Sequence, residues 1–125
     1  MKQLLVDTNI LIDFSKGHSR LLGEYLAAKE WQLMVNPVIV AEFVNDQRLI
    51  TAAKRKKAKE FIGLFNHIDL NKAIGFRAGE LIRIGQVGYL GDALVAATCL
   101  ETKAPLLTRN QKHFKKVKGL KLLPR

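Results

Sequence analysis

The chain has 125 residues, 21 Lys and Arg against 11 Asp and Glu for a formal charge of +10 at pH 7, and one cysteine. That length supports a single domain over residues 1–125 that buries about two-thirds of its unfolded surface without a disulfide or structural metal. The lone Cys99 excludes an internal disulfide, Asp7 and Asp13 interrupt the first apolar run too early for a signal-peptide core, and no apolar stretch nears the roughly 20 residues of a membrane span. A soluble, reduced, cytoplasmic protein is therefore expected, with a charge excess that favours polyanions, nucleic acid first.

Short apolar strands alternate with amphipathic helices, the pattern of an α/β domain around a parallel sheet. Gln3–Asp7 reads as the first strand, and Asn9–Phe14 as a helix that follows almost without a loop. Leu21–Lys29 is the second helix, with Leu22, Tyr25, Leu26 and Lys29 at helical spacing. Gln32–Val35 is a short strand. Asn36-Pro37 then starts a helix, Asn as cap and Pro at its first position, expected to run to about Leu49. Thr51–Phe65 reads as an amphipathic helix with Ala58, Phe61, Ile62 and Phe65 inward. After a short strand over His67–Leu70, Asn71 caps a helix over Lys72–Ile84 whose buried stripe is Ile74, Ala78, Leu81 and Ile82, despite Gly75 and Gly79. Gly85–Gly91 connects to a helix over Asp92–Thr102, in which Cys99 takes a buried position. Pro105–Thr108 is the next strand, Arg109 and Asn110 form a turn, and Leu120–Leu123 is a last edge strand.

Three acids stand in apolar surroundings: Asp7 ends the run LLV, Glu42 lies inside VIVA-E-FV, and Asp92 opens ALVAA. Burying a carboxylate is costly unless something pairs with it. Taken singly, Asp7 also fits an Asx turn with Asn9, and Asp92 an N-cap following Gly91. Glu42 is harder to place in that way, because the first cation downstream is Arg48 and Asp46 at i+4 repeats its charge. A hard divalent cation such as Mg²⁺ or Mn²⁺ is the common partner of converging carboxylates, and it suits phosphodiester hydrolysis by polarising a phosphoryl oxygen and activating water. In open parallel sheets ligands sit beyond the carboxyl ends of the strands. Asp7 and the segment Thr108–Asn110 lie at such ends, and Asp92 starts a helix, so the sheet can gather them on one rim. Two basic clusters, one over Lys54, Arg55, Lys56, Lys57 and Lys59 and one over Lys112, Lys115, Lys116, Lys118 and Lys121, are either solvated surfaces or phosphate-binding ones. His18 and His67 read as turn and strand-edge residues, and Trp31 and the phenylalanines as core or interface.

The segments LLVDTNILID, NPVIVAEFV, GDALVAATCL and LLTRNQKHF resemble, in order and spacing, the PIN-domain nucleases, and most of all the VapC-type toxins of toxin–antitoxin pairs. The resemblance covers essentially the whole chain. It implies a three-layer α/β/α sandwich on a mostly parallel sheet and a Mg²⁺- or Mn²⁺-dependent endoribonuclease. The family's three acidic metal ligands fall on Asp7, Glu42 and Asp92, with Asn9 as a supporting polar residue and Thr108 as the hydroxyl ending the fourth strand. Many relatives carry a fourth acid within or just after T-R-x, where this chain has Asn110, Gln111 and His113. One firmly bound ion is therefore expected, with a second recruited only by the substrate phosphate. Expected partners are RNA, a cognate antitoxin laid across the acidic rim and a second copy of the chain, with no membrane. Two other readings compete: a housekeeping RNA-processing nuclease, and a non-catalytic nucleic-acid-binding module whose acids are structural. Phosphotransfer of the haloacid-dehalogenase type is weaker, because Asn9 stands where that chemistry uses a second Asp.

Overall fold

A computed structural model describes residues 1–45 and 51–125. The expected continuation of the third helix to Leu49, and the charges of Asp46 and Arg48, lie outside the described residues. Strands β1 (Lys2–Val6), β2 (Trp31–Val35), β3 (Asn66–His67), β4 (Leu106–Leu107) and β5 (Leu122–Leu123) form one all-parallel sheet in the order β3-β2-β1-β4-β5. Helices α1 (Thr8–Ser15) and α2 (Leu21–Ala28) link β1 to β2, while α3 (Pro37–Val44) and α4 (Ala52–Ile62) precede β3. Helices α5 (Lys72–Arg83) and α6 (Leu90–Thr102) lead back to β4 on the other side of β1. Because right-handed crossovers are the rule for parallel strands, this reversal sends α5 and α6 to the face opposite α1–α4, giving the three-layer α/β/α arrangement.

The sheet's central strands read as apolar runs because helices cover both faces. Leu4, Leu5 and Val6 of β1 and Leu33, Met34 and Val35 of β2 are all buried, joined by Leu106 and Leu107 of β4 and by Ile39, Ile74, Val95 and Phe114 from the connecting segments. Local chemistry sets most helix starts. Asn36 Oδ1 accepts from Ile39 N and Asn71 Oδ1 from Ile74 N, each at 2.9 Å, and Thr51 Oγ1 accepts from Lys54 N at 3.1 Å. The buried Asn36 amide also donates to Thr98 Oγ1 at 2.9 Å, tying the end of β2 to α6.

Several boundaries differ from the sequence expectation. The strand expected over His67–Leu70 lies instead at Asn66–His67, with one further bond from Ile68 N to Val35 O, and the strand expected over Leu120–Leu123 contracts to Leu122–Leu123, where it pairs with β4. Lys29 does not continue the stripe of α2: it ends that helix in the left-handed region at φ 58°. Leu26 and Ile82 fall on the flanks of their helices and are exposed rather than buried. Asp92 does not cap α6, which begins two residues earlier at Leu90 with Tyr89 in the cap position. Among the described residues, no helix is long and apolar enough to cross a membrane.

Candidate metal centre at the switch point of the sheet

Strands β1 and β4 are neighbours whose outgoing connections run in opposite directions, and the crevice beyond their carboxyl ends is where open α/β sheets bind ligands. Asp7 follows β1 directly, and Thr108 follows β4. Asp7 is 6% exposed and caps α1: its Oδ1 accepts from Thr8 N at 2.9 Å. Its Oδ2 accepts from Thr108 Oγ1 at 2.7 Å and from Asn9 Nδ2 at 3.2 Å. The Asn9 amide bridges further, donating to Thr108 Oγ1 at 3.2 Å and accepting from Arg109 N at 3.0 Å. The Thr108 hydroxyl, fully buried, has spent its one proton on Asp7 and also accepts from Asn110 N at 3.1 Å. Asn9 and Thr108 therefore fix the orientation of Asp7.

Glu42, on α3, differs from the sequence expectation in being exposed. The sequence around it is apolar, but the helix turns Ile39 and Phe43 into the core and leaves positions 41, 42 and 44 outside. Its Oε1 accepts from Thr8 Oγ1 at 2.9 Å, a partner the sequence reading missed although Thr8 follows Asp7 directly. A Cβ built on Gly91 would stand 3.6 Å from Glu42 Oε2, which sets the carboxylate against the first turn of α6, one residue from Asp92. Asp92 in turn lies 3.2 Å from His113 Nδ1. Of the two residues at the expected fourth acidic corner, His113 thus joins the rim through Asp92. Asn110 contributes its backbone N–H and makes no side-chain cap bond to the short 3₁₀ turn Gln111–His113 that follows it.

The three carboxylates feel one another. Burial, first of all, raises the Asp7 pKa above its ordinary 3.8; the bonds from Thr108 and Thr8 pull it back, and the charge of Asp92 raises it again. Partial desolvation also raises Glu42 above 4.5, offset by Thr8 and reinforced by the charges of Asp7 and Asp92. Glu42 keeps most of its solvent, so Asp7 bears the larger electrostatic cost. No positive charge offsets either acid among the described residues. The donor set, oxygens from three carboxylates, suits a hard divalent cation. As the side chains stand, no three Asp, Glu, His or Cys groups among the described residues are gathered closely enough to hold an ion; Glu42 is engaged with Thr8 and Asp92 with His113. Ligation then requires rotation of the Glu42 and Asp92 side chains on a backbone that already brings them together.

Known proteins agree with this architecture. Ribonuclease VapC of Rickettsia bellii (strain RML369-C) is 29% identical over 137 aligned positions, covering 96% of this chain and 94% of that protein. Ribonuclease VapC10 of Mycobacterium tuberculosis is 28% identical, covering 94% and 90%. Among solved structures, a toxin–antitoxin complex from Klebsiella pneumoniae superposes with a TM-score of 0.80 at 26% identity, covering 97% of this chain and 96% of that one. The sequence profile of the PIN domain matches residues 4–120, and the chain belongs to that family.

Proposed function

We propose that this PIN domain is a Mg²⁺- or Mn²⁺-dependent endoribonuclease, the toxin of a toxin–antitoxin pair, with Asp7, Glu42 and Asp92 holding the ion. The observation that carries the reading is the approach of three carboxylates from β1, α3 and α6 at the switch point, two of them with raised pKa and no offsetting cation among the described residues. Mutual repulsion of this kind is relieved by a divalent cation. The relatives called Ribonuclease VapC and the similar toxin–antitoxin complex support the RNA substrate and the antitoxin partner.

When bound, the ion supplies a Lewis acid for the scissile phosphoryl group and eases deprotonation of the attacking water. The chain supplies the rest. Thr108 and Asn9 hold Asp7 in one orientation, while Thr8 and His113 are the partners that Glu42 and Asp92 exchange for the ion. The exposed lysines of α4 and of the segment 112–121 give the +10 chain a surface that retains the RNA backbone. Because Asn110 and His113 stand in place of a fourth acid, Asp7, Glu42 and Asp92 would hold one ion firmly and leave a second to be recruited by the substrate phosphate.

The test is incubation of purified protein with total RNA, with and without Mg²⁺, followed by mapping of new ends. The wild-type protein cleaves only with metal, and Asp7→Ala abolishes cleavage while keeping RNA binding. Undiminished cleavage by Asp7→Ala, or metal-independent cleavage by the wild type, overturns the assignment; metal-independent binding with no cleavage favours a non-catalytic module.

A further inference from the structure

Beside the acid rim lies a hollow of about 280 Å³ whose walls include Gln86, Tyr89, Asp92, Lys112, His113 and Lys116. Tyr89 is 70% exposed, an aromatic ring left in solvent three residues before Asp92. Its ring stands 6.3 Å from that of His113, tilted by 43°, so two aromatic faces line the same space. Neither Lys112 nor Lys116 has an ion-pair or hydrogen-bond partner among the described residues. Tyr89 occupies the cap position of α6 without capping it, so its side chain serves no local structural bond there. A Cβ on Gly85 or Gly88 would meet nothing within 4 Å, which leaves the hollow open along that side.

An exposed aromatic next to unpaired cations is the equipment with which proteins hold single-stranded RNA: the ring takes a base face and the cations take the phosphate. We infer that this hollow is a nucleotide subsite in which one RNA base stacks on Tyr89 while Lys112 and Lys116 hold the adjoining phosphate, leading the strand past Asp92. A peptide occupant is less suited, because two lysines and the Tyr89 and His113 rings line the hollow and Asp92 is its one carboxylate. The inference rests on the ribonuclease reading and names how that site grips its substrate.

The test uses the full chain carrying Asp7→Asn, to prevent cleavage, and fluorescence anisotropy with short single-stranded oligoribonucleotides at fixed salt. Adding Tyr89→Ala weakens binding about 5- to 150-fold, the range seen for loss of one base–aromatic stack, whereas Tyr89→Phe stays within about twofold. Abasic substitution along the oligonucleotide finds one position whose removal weakens binding to the Tyr89 protein and has no further effect with Tyr89→Ala. Lys112→Ala and Lys116→Ala each reduce the slope of log affinity against log salt by about one. If the Asp7→Asn protein binds RNA and the wild type cleaves it, but Tyr89→Ala changes neither affinity nor the abasic profile, the subsite is wrong and the ribonuclease reading stands. Weakened association with an antitoxin peptide at unchanged RNA affinity also overturns it. Absence of RNA binding and cleavage altogether overturns both.

Discussion

Thr108→Val isolates the bond that orients the most buried acid. The hydroxyl donates to Asp7 Oδ2 at 2.7 Å and accepts from Asn9 Nδ2 at 3.2 Å and Asn110 N at 3.1 Å. Valine fills nearly the same volume, so no cavity cost accompanies the loss. Asn9 keeps its second acceptor in Asp7 Oδ2, and Asn110 is exposed and turns to water, so those two bonds cost little. The bond to charged Asp7 dominates, at about 1.5–3 kcal/mol. That bond stabilises the charged carboxylate, so its loss raises the Asp7 pKa further above 3.8. The stability cost is therefore full at neutral pH and shrinks as pH falls through the Asp7 pKa. Urea denaturation at pH 7 and pH 4 measures it, with Thr108→Ser as the variant that restores the hydroxyl. RNA cleavage by Thr108→Val falls in rate and its pH profile shifts upward. A Thr108→Val protein as stable as Thr108→Ser at pH 7, with an unchanged pH profile, would refute the positioning role.

The raised pKa values of Asp7 and Glu42 make metal-free stability depend on pH with a definite sign. Their contribution is complete below the ordinary values of 3.8 and 4.5 and is lost as pH rises through the folded-state values. Mn²⁺ binds the charged forms, so it raises the melting temperature by several degrees at pH 7 and hardly at all at pH 4, and Asp92→Asn removes most of that gain; an equal Mn²⁺ effect at both pH values would count against a carboxylate site. Thr98→Val leaves the buried Asn36 amide without its side-chain partner and costs about 1–3 kcal/mol in urea denaturation, recovered by Thr98→Ser. A neutral result there would mean that the contact between β2 and α6 does not need this bond.

What the sequence revealed depended on how local the physics was. Asn36-Pro37 and Asn71 marked helix starts because the cap bond joins residues three apart, and both caps are present. The parallel sheet followed from apolar runs such as the LLV of β1, buried on both faces. Strand lengths did not, because β3 and β5 extend only as far as Val35 and Leu107 offer partners, a fact about neighbours distant in sequence. Asp7, Glu42 and Asp92 were legible as acids in apolar text, yet the inference that Glu42 is buried failed. An apolar stretch of helix has an outer flank, and Glu42 lies on it. Thr8 bonding Glu42, His113 meeting Asp92 and Tyr89 beside the rim required the fold, since each pairs groups whose proximity no local pattern encodes.

The proposed metal centre requires that Asp7, Glu42 and Asp92 together ligate a divalent cation. Anomalous scattering from crystals soaked in Mn²⁺ without RNA tests it most directly. The expected result is one strong peak at the rim beyond β1, bonded to oxygens of all three carboxylates at about 2.0–2.2 Å, with no second fully occupied site. An empty rim, or a peak held by other residues, would contradict the metal centre; two fully occupied sites without RNA would contradict the single-ion reading.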